Sequence, residues 1–223
     1  MVAIVAARNE ADRIGDTIEA LRRAFPGGHI VVADDASTDR TSEVALTGGA
    51  EVVSRRRRHG KGGSMSAAAA TVTSLGERRE PRVLLLCDGD LGTSAHELRR
   101  LVAAVDAGRC DLAVAAFARR VGGGLGIALG FARWGIERRC GYRSRAAISG
   151  QRAMRAEVLR AVLPFAPGFG MEMAMTIDAI RRGFVVCEIE LELEHRATGR
   201  GLSGFAHRAR QLADFARVWW SRR

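Results

Sequence analysis

Two apolar runs in the sequence end on carboxylates: "VVADDASTDRT", Val31 to Thr41, and "LLLCDGD", Leu84 to Asp90. A carboxylate at the end of a strand accepts hydrogen bonds from ribose hydroxyls or a base N–H. Two carboxylates one residue apart, Asp88 and Asp90, present hard oxygen donors to a divalent cation. Gly89 permits a tight turn between them, and its missing side chain leaves room for a diphosphate beside the metal. A plainer use competes, because Asp, Ser and Thr satisfy the free N–H groups of helix starts, a role that suits Ser37 and Asp39. Asp34 and Asp35 are adjacent and cannot both cap well, which leaves one of them for a ligand. A D-x-D triplet alone also fits a solvated turn.

These carboxylates need strands to bring them together. Val2 to Ala7 is a continuous apolar run, as in a strand buried on both faces, and Ile14, Ile18, Leu21 and Phe25 then recur at helical spacing. Pro26, Gly27 and Gly28 stop that helix before a second buried strand, His29 to Ala33, and the next helix is expected near Ser37 or Thr38. "AEVVSR" reads as a third strand, and the basic loop "RRRRHGKGG" leads into an Ala-rich helix from Ser64 to Leu75. "PRVLLLCDGD" supplies the most apolar strand. Alternation of this kind builds a parallel doubly wound sheet, which binds ligands at the carboxyl ends of its strands. Asp34, Asp35, Asp88 and Asp90 therefore share one edge.

Beyond Leu91 the pattern predicts a helix from Ser94 to Ala107 and a strand at "CDLAVAAF". A Gly- and Arg-rich segment, Arg119 to Arg145, reads as a loop leading into an amphipathic helix. "ISGQRAMRAEVLRAV" reads as a turn and helix, "GFGMEMAMTIDAIRRG" as a helix, "FVVCEIELELEH" as an alternating strand, and Leu202 to Arg223 as a basic helix. With 223 residues and 47% hydrophobic content, one compact unit is expected.

Lys and Arg outnumber Asp and Glu by 35 to 25, which gives a net charge of +10 and a pI near 11.0. An anionic partner fits that balance: nucleic acid, an acidic membrane surface or a phosphorylated small molecule. Arg-rich codon usage would give the same excess. The basic loop "SRRRRHGKGG" lies between a strand and a helix, as a phosphate-side loop would, and 5% aromatic content offers few stacking surfaces, so no nucleic acid is expected. The four cysteines are dispersed without C-x-x-C spacing, which predicts reduced thiols and a cytoplasmic setting. No apolar run reaches the ~18 residues of a membrane span.

Taken together, "ARNEADRIGDTIEAL", "VVADDASTDRT", "GKGGSM", "LLLCDGD", "ISGQRAMR" and "GFGMEMAMTIDAIRRGF" resemble, in order and spacing, a family 2 glycosyltransferase of the GT-A fold. The likeness covers nearly the whole chain and implies an α/β architecture: a Rossmann-like, mixed but mostly parallel sheet flanked by helices. It implies a single domain with a nucleotide-sugar-binding half over 1–92 and an acceptor-binding half over 93–223. Position by position, it implies that Asn9 and Glu10 follow the first strand and face the nucleoside, with Ala7 where the family usually has Pro. Asp35 contacts the base or ribose, Lys61 lies near the nucleotide, and Asp88, Gly89 and Asp90 form the D-x-D turn that binds ribose and, through Mg or Mn, the diphosphate. A divalent cation would relieve the repulsion between diphosphate and carboxylates. His195 is a candidate third ligand, and Arg196 and Arg200 are candidate phosphate clamps.

The resemblance further implies inverting transfer from a UDP or GDP sugar, with Glu172 as the matching general base. Glu172 also suits a plainer role, as an acid that stabilises a helix start. A phosphate monoester acceptor, with a second pKa of about 6, would need no base at all. Arg145, Gly150, Gln151 and Arg152 are the acceptor-binding candidates. Polyprenyl phosphate and soluble phosphorylated acceptors, including phosphoglycerate, both fall within the likeness. "RRVGGGLGIALGFARWGIERR" and "RARQLADFARVWWSRR" mix aromatics with arginines as interfacial segments do, which leaves open peripheral contact with the inner face of a membrane, although most of these apolar positions suit a core. A homo-oligomer is also left open. A sugar nucleotidyltransferase would carry a Gly-rich loop after the first strand, which "ARNEAD" lacks; a non-catalytic sugar-nucleotide or nucleic-acid binder is the remaining alternative.

Overall fold

The computed structural model of the chain describes residues 1–74, 82–118, 126–194 and 202–223, with the backbone alone over 202–209. A seven-stranded sheet runs in the order β3-β2-β1-β4-β6-β5-β7. Its strands are β1 Val2–Ala7, β2 His29–Asp34, β3 Glu51–Ser54, β4 Val83–Asp88, β5 Leu112–Phe117, β6 Arg152–Arg155 and β7 Val186–Leu191. The helices are α1 Ile14–Ala24, α2 Thr41–Thr47, α3 Gly60–Thr73, α4 Arg99–Asp106, α5 Ile127–Cys140, α6 Ala156–Val162, α7 Met171–Arg181 and α8 Leu202–Ser221, with 3-10 turns at Gly92–Leu98 and Gly168–Gly170.

The apolar strands are covered on both faces, as their unbroken hydrophobic runs require. Alternate residues of β1 and β4 divide between two clusters. Ala3, Val5, Leu85 and Cys87 pack with Ile14, Ile18 and Leu21 of α1 and Leu101 of α4. Val2, Ile4, Leu84 and Leu86 pack with Met65 and Ala68 of α3, Val158 of α6 and Met171 of α7. A third cluster joins Ala132 and Ile136 of α5, Met173 and Ile177 of α7, and Phe215 and Val218 of α8. Arg222, after α8, donates two hydrogen bonds of 2.8 and 2.7 Å to Asp178 of α7.

The sheet departs from a purely parallel one at β6, which runs antiparallel to both β4 and β5. Sequence pattern assigns this stretch to a turn and helix, because four residues flanked by arginines carry no strand signal. Pairing on both sides makes the strand: Leu84 and Leu112 both register on Met154. Helix α2 starts at Thr41 rather than at Ser37 or Thr38, because those two residues are held in a turn by Asp34 and Asn9. Cys110 and Cys187 are joined as a disulfide, against the expectation of free thiols; Cys110 leads into β5 and Cys187 lies on its neighbour β7. Among the described residues no helix is long and apolar enough to cross a membrane.

Candidate active site

The carboxyl ends of β1, β2 and β4 lie side by side, with Ala7 registered on Asp34 and Ala6 on Asp88. Around β1 and β2 the polar groups mostly hold one another. Asp34 accepts hydrogen bonds from the Ser37 N–H at 3.1 Å and the Ser42 hydroxyl at 2.7 Å. The Ala7 carbonyl accepts from Asp35 N at 3.1 Å. Asn9 takes a left-handed backbone (φ 56°), and its side-chain oxygen accepts from Thr38 N at 2.9 Å. The Glu10 carbonyl accepts from the N–H groups of Arg13 and Ile14, which starts α1.

Asp35 is the more telling of the pair. Its carboxylate accepts from His59 N at 2.7 Å, Gly60 N at 3.0 Å and the Ser64 hydroxyl at 2.8 Å. It therefore pins the start of α3 to the end of β2, where the helix dipole favours a negative charge. That anchor places Lys61, one residue further on, over the sheet edge.

Three sequence-predicted residues meet there. The Lys61 ammonium stands 2.6 Å from Asp88 Oδ1 and 2.9 Å from Glu172 Oε1. Burial alone would lower the Lys61 pKa, but Asp88 and Glu172 more than reverse this and hold it above the ordinary lysine range. Gln151 donates from Nε2 to Asp88 Oδ2 at 2.8 Å. Gly150 closes the group: a Cβ there would lie 2.3 Å from Lys61 Nζ and 2.8 Å from Asp88 Oδ2. Gly62 allows the approach of α3, since a Cβ on it would stand 1.9 Å from the Ala166 carbonyl.

The D-x-D turn is fixed from below. Thr17, fully buried, donates to the Gly89 carbonyl and accepts from Gly92 N, both at 2.8 Å, and Arg13 donates to the Asp90 carbonyl at 3.2 Å. Gly89 is needed here, but not to make room for a diphosphate: a Cβ would point inward, 2.9 Å from Ile14 Cδ1 and 3.2 Å from the Ala6 carbonyl. Asp88 and Asp90 offer oxygen donors only, which fits a hard divalent cation. Among the described residues no group of three His, Cys, Asp or Glu stands together as a metal site. His195, Arg196 and Arg200 lie outside the described residues.

The acceptor candidates divide. Gly150 and Gln151 line the Asp88 side, as above. Arg145 is exposed on the loop before β6. Arg152, expected to grip a phosphate, is corrected: it has no exposed surface, and its guanidinium is bonded to the Ser149 carbonyl at 2.9 Å and the Thr176 hydroxyl at 3.0 Å. A residue that sequence reading missed holds the Arg145 loop. Glu188 of β7 accepts from the Ser144 hydroxyl at 2.6 Å, Arg145 N at 2.9 Å and Ala146 N at 3.1 Å. Its only signal was a carboxylate inside an alternating strand.

The profile of glycosyl transferase family 2 matches residues 2–163. The polyprenol monophosphomannose synthase of Mycolicibacterium smegmatis is 30% identical over 215 residues, spanning 89% of this chain and 78% of that protein. The undecaprenyl-phosphate mannosyltransferase of Micrococcus luteus is 29% identical over 220 residues, spanning 89% and 85%. Among solved structures, glucosyl-3-phosphoglycerate synthase from Mycobacterium tuberculosis, in complex with Mn2+, UDP and glucosyl-3-phosphoglycerate, superposes with a TM-score of 0.79 at 25% identity, covering 99% of this chain and 78% of that one. The sheet is thus that of the GT-A fold. With the family profile matching well over half of its length, this chain belongs to glycosyl transferase family 2 and is a glycosyltransferase.

Proposed function

We propose that the protein is a metal-dependent, inverting glycosyltransferase that moves a sugar from a nucleoside-diphosphate sugar to a phosphorylated acceptor. The observation that carries this reading is the Lys61 ammonium set between Asp88 and Glu172, with Gly150 kept bare beside it. Donor carboxylates, a fixed cation and a candidate base share one point of the sheet edge.

Asp88 and Asp90 would hold Mg or Mn, with His195 a further candidate ligand. The cation, when bound, offsets the charge of the diphosphate leaving group. Lys61 supplies a second, permanent positive charge toward the same oxygens. Asn9, Glu10 and Asp35 form the nucleoside side, and Arg196 and Arg200 are proposed phosphate clamps. In the transfer, the bond from the anomeric carbon to the diphosphate oxygen breaks and the acceptor oxygen bonds to that carbon from the opposite face. The nucleoside diphosphate leaves with the bonding pair. A hydroxyl acceptor passes its proton to Glu172. An acceptor phosphate is already ionised near neutral pH, and Glu172 then serves to hold Lys61 in place.

Arg145 is the proposed contact for the acceptor phosphate, on the loop that Glu188 holds. A lipid-linked acceptor, as in the names of the mannosyltransferase relatives, fits the exposed Trp134, Ile127 and Trp220, the last of them under Arg223. A soluble phosphorylated acceptor is the second reading, supported by the glucosyl-3-phosphoglycerate synthase complex with UDP and glucosyl-3-phosphoglycerate, and transfer assays with both acceptor classes separate them.

The test is a thermal-shift titration with UDP, GDP, CDP and dTDP, each with and without Mn. One nucleotide is expected to stabilise the protein only with metal, by about 3 kcal/mol at a hundredfold excess over Kd, and Asp90→Ala is expected to remove the shift. An unchanged shift in Asp90→Ala would sink the metal assignment. No shift with any nucleotide at millimolar concentration would overturn the reading and favour a non-catalytic role.

A further inference from the structure

A completely buried arginine calls for an account, because desolvating a charge is costly unless partners repay it. Arg152 opens β6 with no exposed surface. Burial pushes its pKa down to about 10, against the opposing pull of Glu172 and Glu188. Nε donates to the Ser149 carbonyl and Nη1 to the Thr176 hydroxyl, while Nη2 has no hydrogen-bond partner among the described residues.

Both contacts lead into the active site. On one side Ser149 Oγ donates to Gln151 Oε1 at 3.1 Å, and Gln151 donates to Asp88. On the other, Thr176 Oγ1 donates to the Glu172 carbonyl at 3.1 Å. Lys61 joins Asp88 to the Glu172 carboxylate and so closes a ring: Lys61, Asp88, Gln151, Ser149, Arg152, Thr176, Glu172. The ring draws on α3, β4, the turn before β6, β6 itself and α7. Arg152 is its largest member and its only other cation.

We propose that Arg152 is a positioning residue that fixes the spacing between the Asp88 side and the Glu172 side of the active site. It acts through Gln151 and through α7, and touches neither donor nor acceptor. The inference rests on the transferase reading above. Arginine suits the task because its planar fork reaches two acceptors in fixed directions, which a lysine ammonium does not reproduce. A methionine of similar length would fill the volume with no charge to desolvate, and Glu172 and Glu188 would keep Lys61 and the 144–146 loop as partners. The charge is therefore retained for geometry rather than for stability.

The experiment compares the wild type with Arg152→Met, Arg152→Lys, Thr176→Val and the Arg152→Met/Thr176→Val pair, in melting temperature and in steady-state transfer. Arg152→Met is expected to melt at or above the wild-type temperature while kcat falls by about tenfold to a hundredfold, with the donor KM within about twofold. Arg152→Lys is expected not to restore kcat. Thr176→Val is expected to lose part of it, and the pair no more than Arg152→Met alone, as members of one ring should behave. Wild-type kcat in Arg152→Met would overturn the inference, and so would a lowered melting temperature with kcat and KM losses of equal size. If Arg152→Met does not fold, wild-type kcat in both Arg152→Lys and Thr176→Val overturns it. A wild-type protein with no transfer and no nucleotide-induced shift would take down the transferase reading itself, whereas an active wild type with indifferent variants takes down this inference alone.

Discussion

At Gly150 a single methyl group would reach into the site. Its Cβ would stand 2.3 Å from Lys61 Nζ and 2.8 Å from Asp88 Oδ2, so one of the two must move. Gly150→Ala is expected to cost about 1 to 3 kcal/mol of stability, typical of overpacking, and to weaken metal-dependent nucleotide binding by about tenfold or more on the same energy scale. Calorimetric titration of the nucleotide with Mn checks this, and wild-type affinity would mean that Asp88 is not a ligand-side group. Lys61 sets a second expectation, in pH. Its folded pKa lies above the ordinary lysine range, so its stabilisation is whole below the unfolded value of about 10.4 and is lost only as pH climbs through the higher folded value. The melting-temperature gap between the wild type and Lys61→Met should therefore be flat from about pH 8 to 10, at or below the unfolded lysine value. A gap that closes over that interval would show that the two carboxylates do not hold the ammonium. That Lys61 stands between Asp88 and Glu172 is seen only in the structure, although Asp88 and Asp90 were legible as carboxylates at a strand end and Lys61 and Glu172 as matches to the family's motifs. Arg152 and Glu188 were not, because their roles depend on which partners the fold brings to them.

Among elements, α8 makes the clearest case for a segment whose two faces do different work. Phe215 and Val218 are buried against α5 and α7, Asp214 accepts from Phe169 N at 3.0 Å just before α7, and Trp220 on the same helix is 61% exposed. The core reading of the tail holds for the first two and fails for the last. Phe215→Ala is expected to cost about 3 to 5 kcal/mol, as for other buried Phe side chains. Because Phe215 shares a cluster with Met173 and Ile177, the loss should loosen α7 and lower kcat as well. Urea unfolding and transfer assays check the two parts, and a cost under about 1 kcal/mol would show that α8 is not packed as described. The elements of the first half, β1 through β4, were readable because apolar runs and Gly/Pro breaks mark them. Strand β6 was not, since its four residues gain strand character only by pairing on both sides.

For the whole molecule, the excess of ten positive charges gathers meaning where it meets apolar surface. Arg223 lies over the exposed Trp220 ring, 3.1 Å from its centroid, and Trp134 stacks on Trp219 at 5.3 Å under Arg139. Such a face suits an anionic membrane surface. Trp220→Ser together with Ile127→Ser is expected to weaken binding to vesicles rich in anionic lipid by about tenfold, with little change in melting temperature, since surface substitutions typically fall within about 0.5 kcal/mol. An unaltered vesicle-binding curve would reject the face as an interface. Composition alone fitted an anionic partner and Arg-rich codon usage equally; only the structure shows which basic residues sit beside the rings of Trp219 and Trp220.

Strand β6 comes from the second half of the chain yet lies between β4 of the first half and β5 of the second. Until residues 152–155 have been synthesised, β4 stays an open edge of apolar, two-sided strand, the kind of surface that pairs with other chains. A fragment ending near residue 92 would leave β4 without β6 beside it, and is expected to aggregate where the whole chain does not.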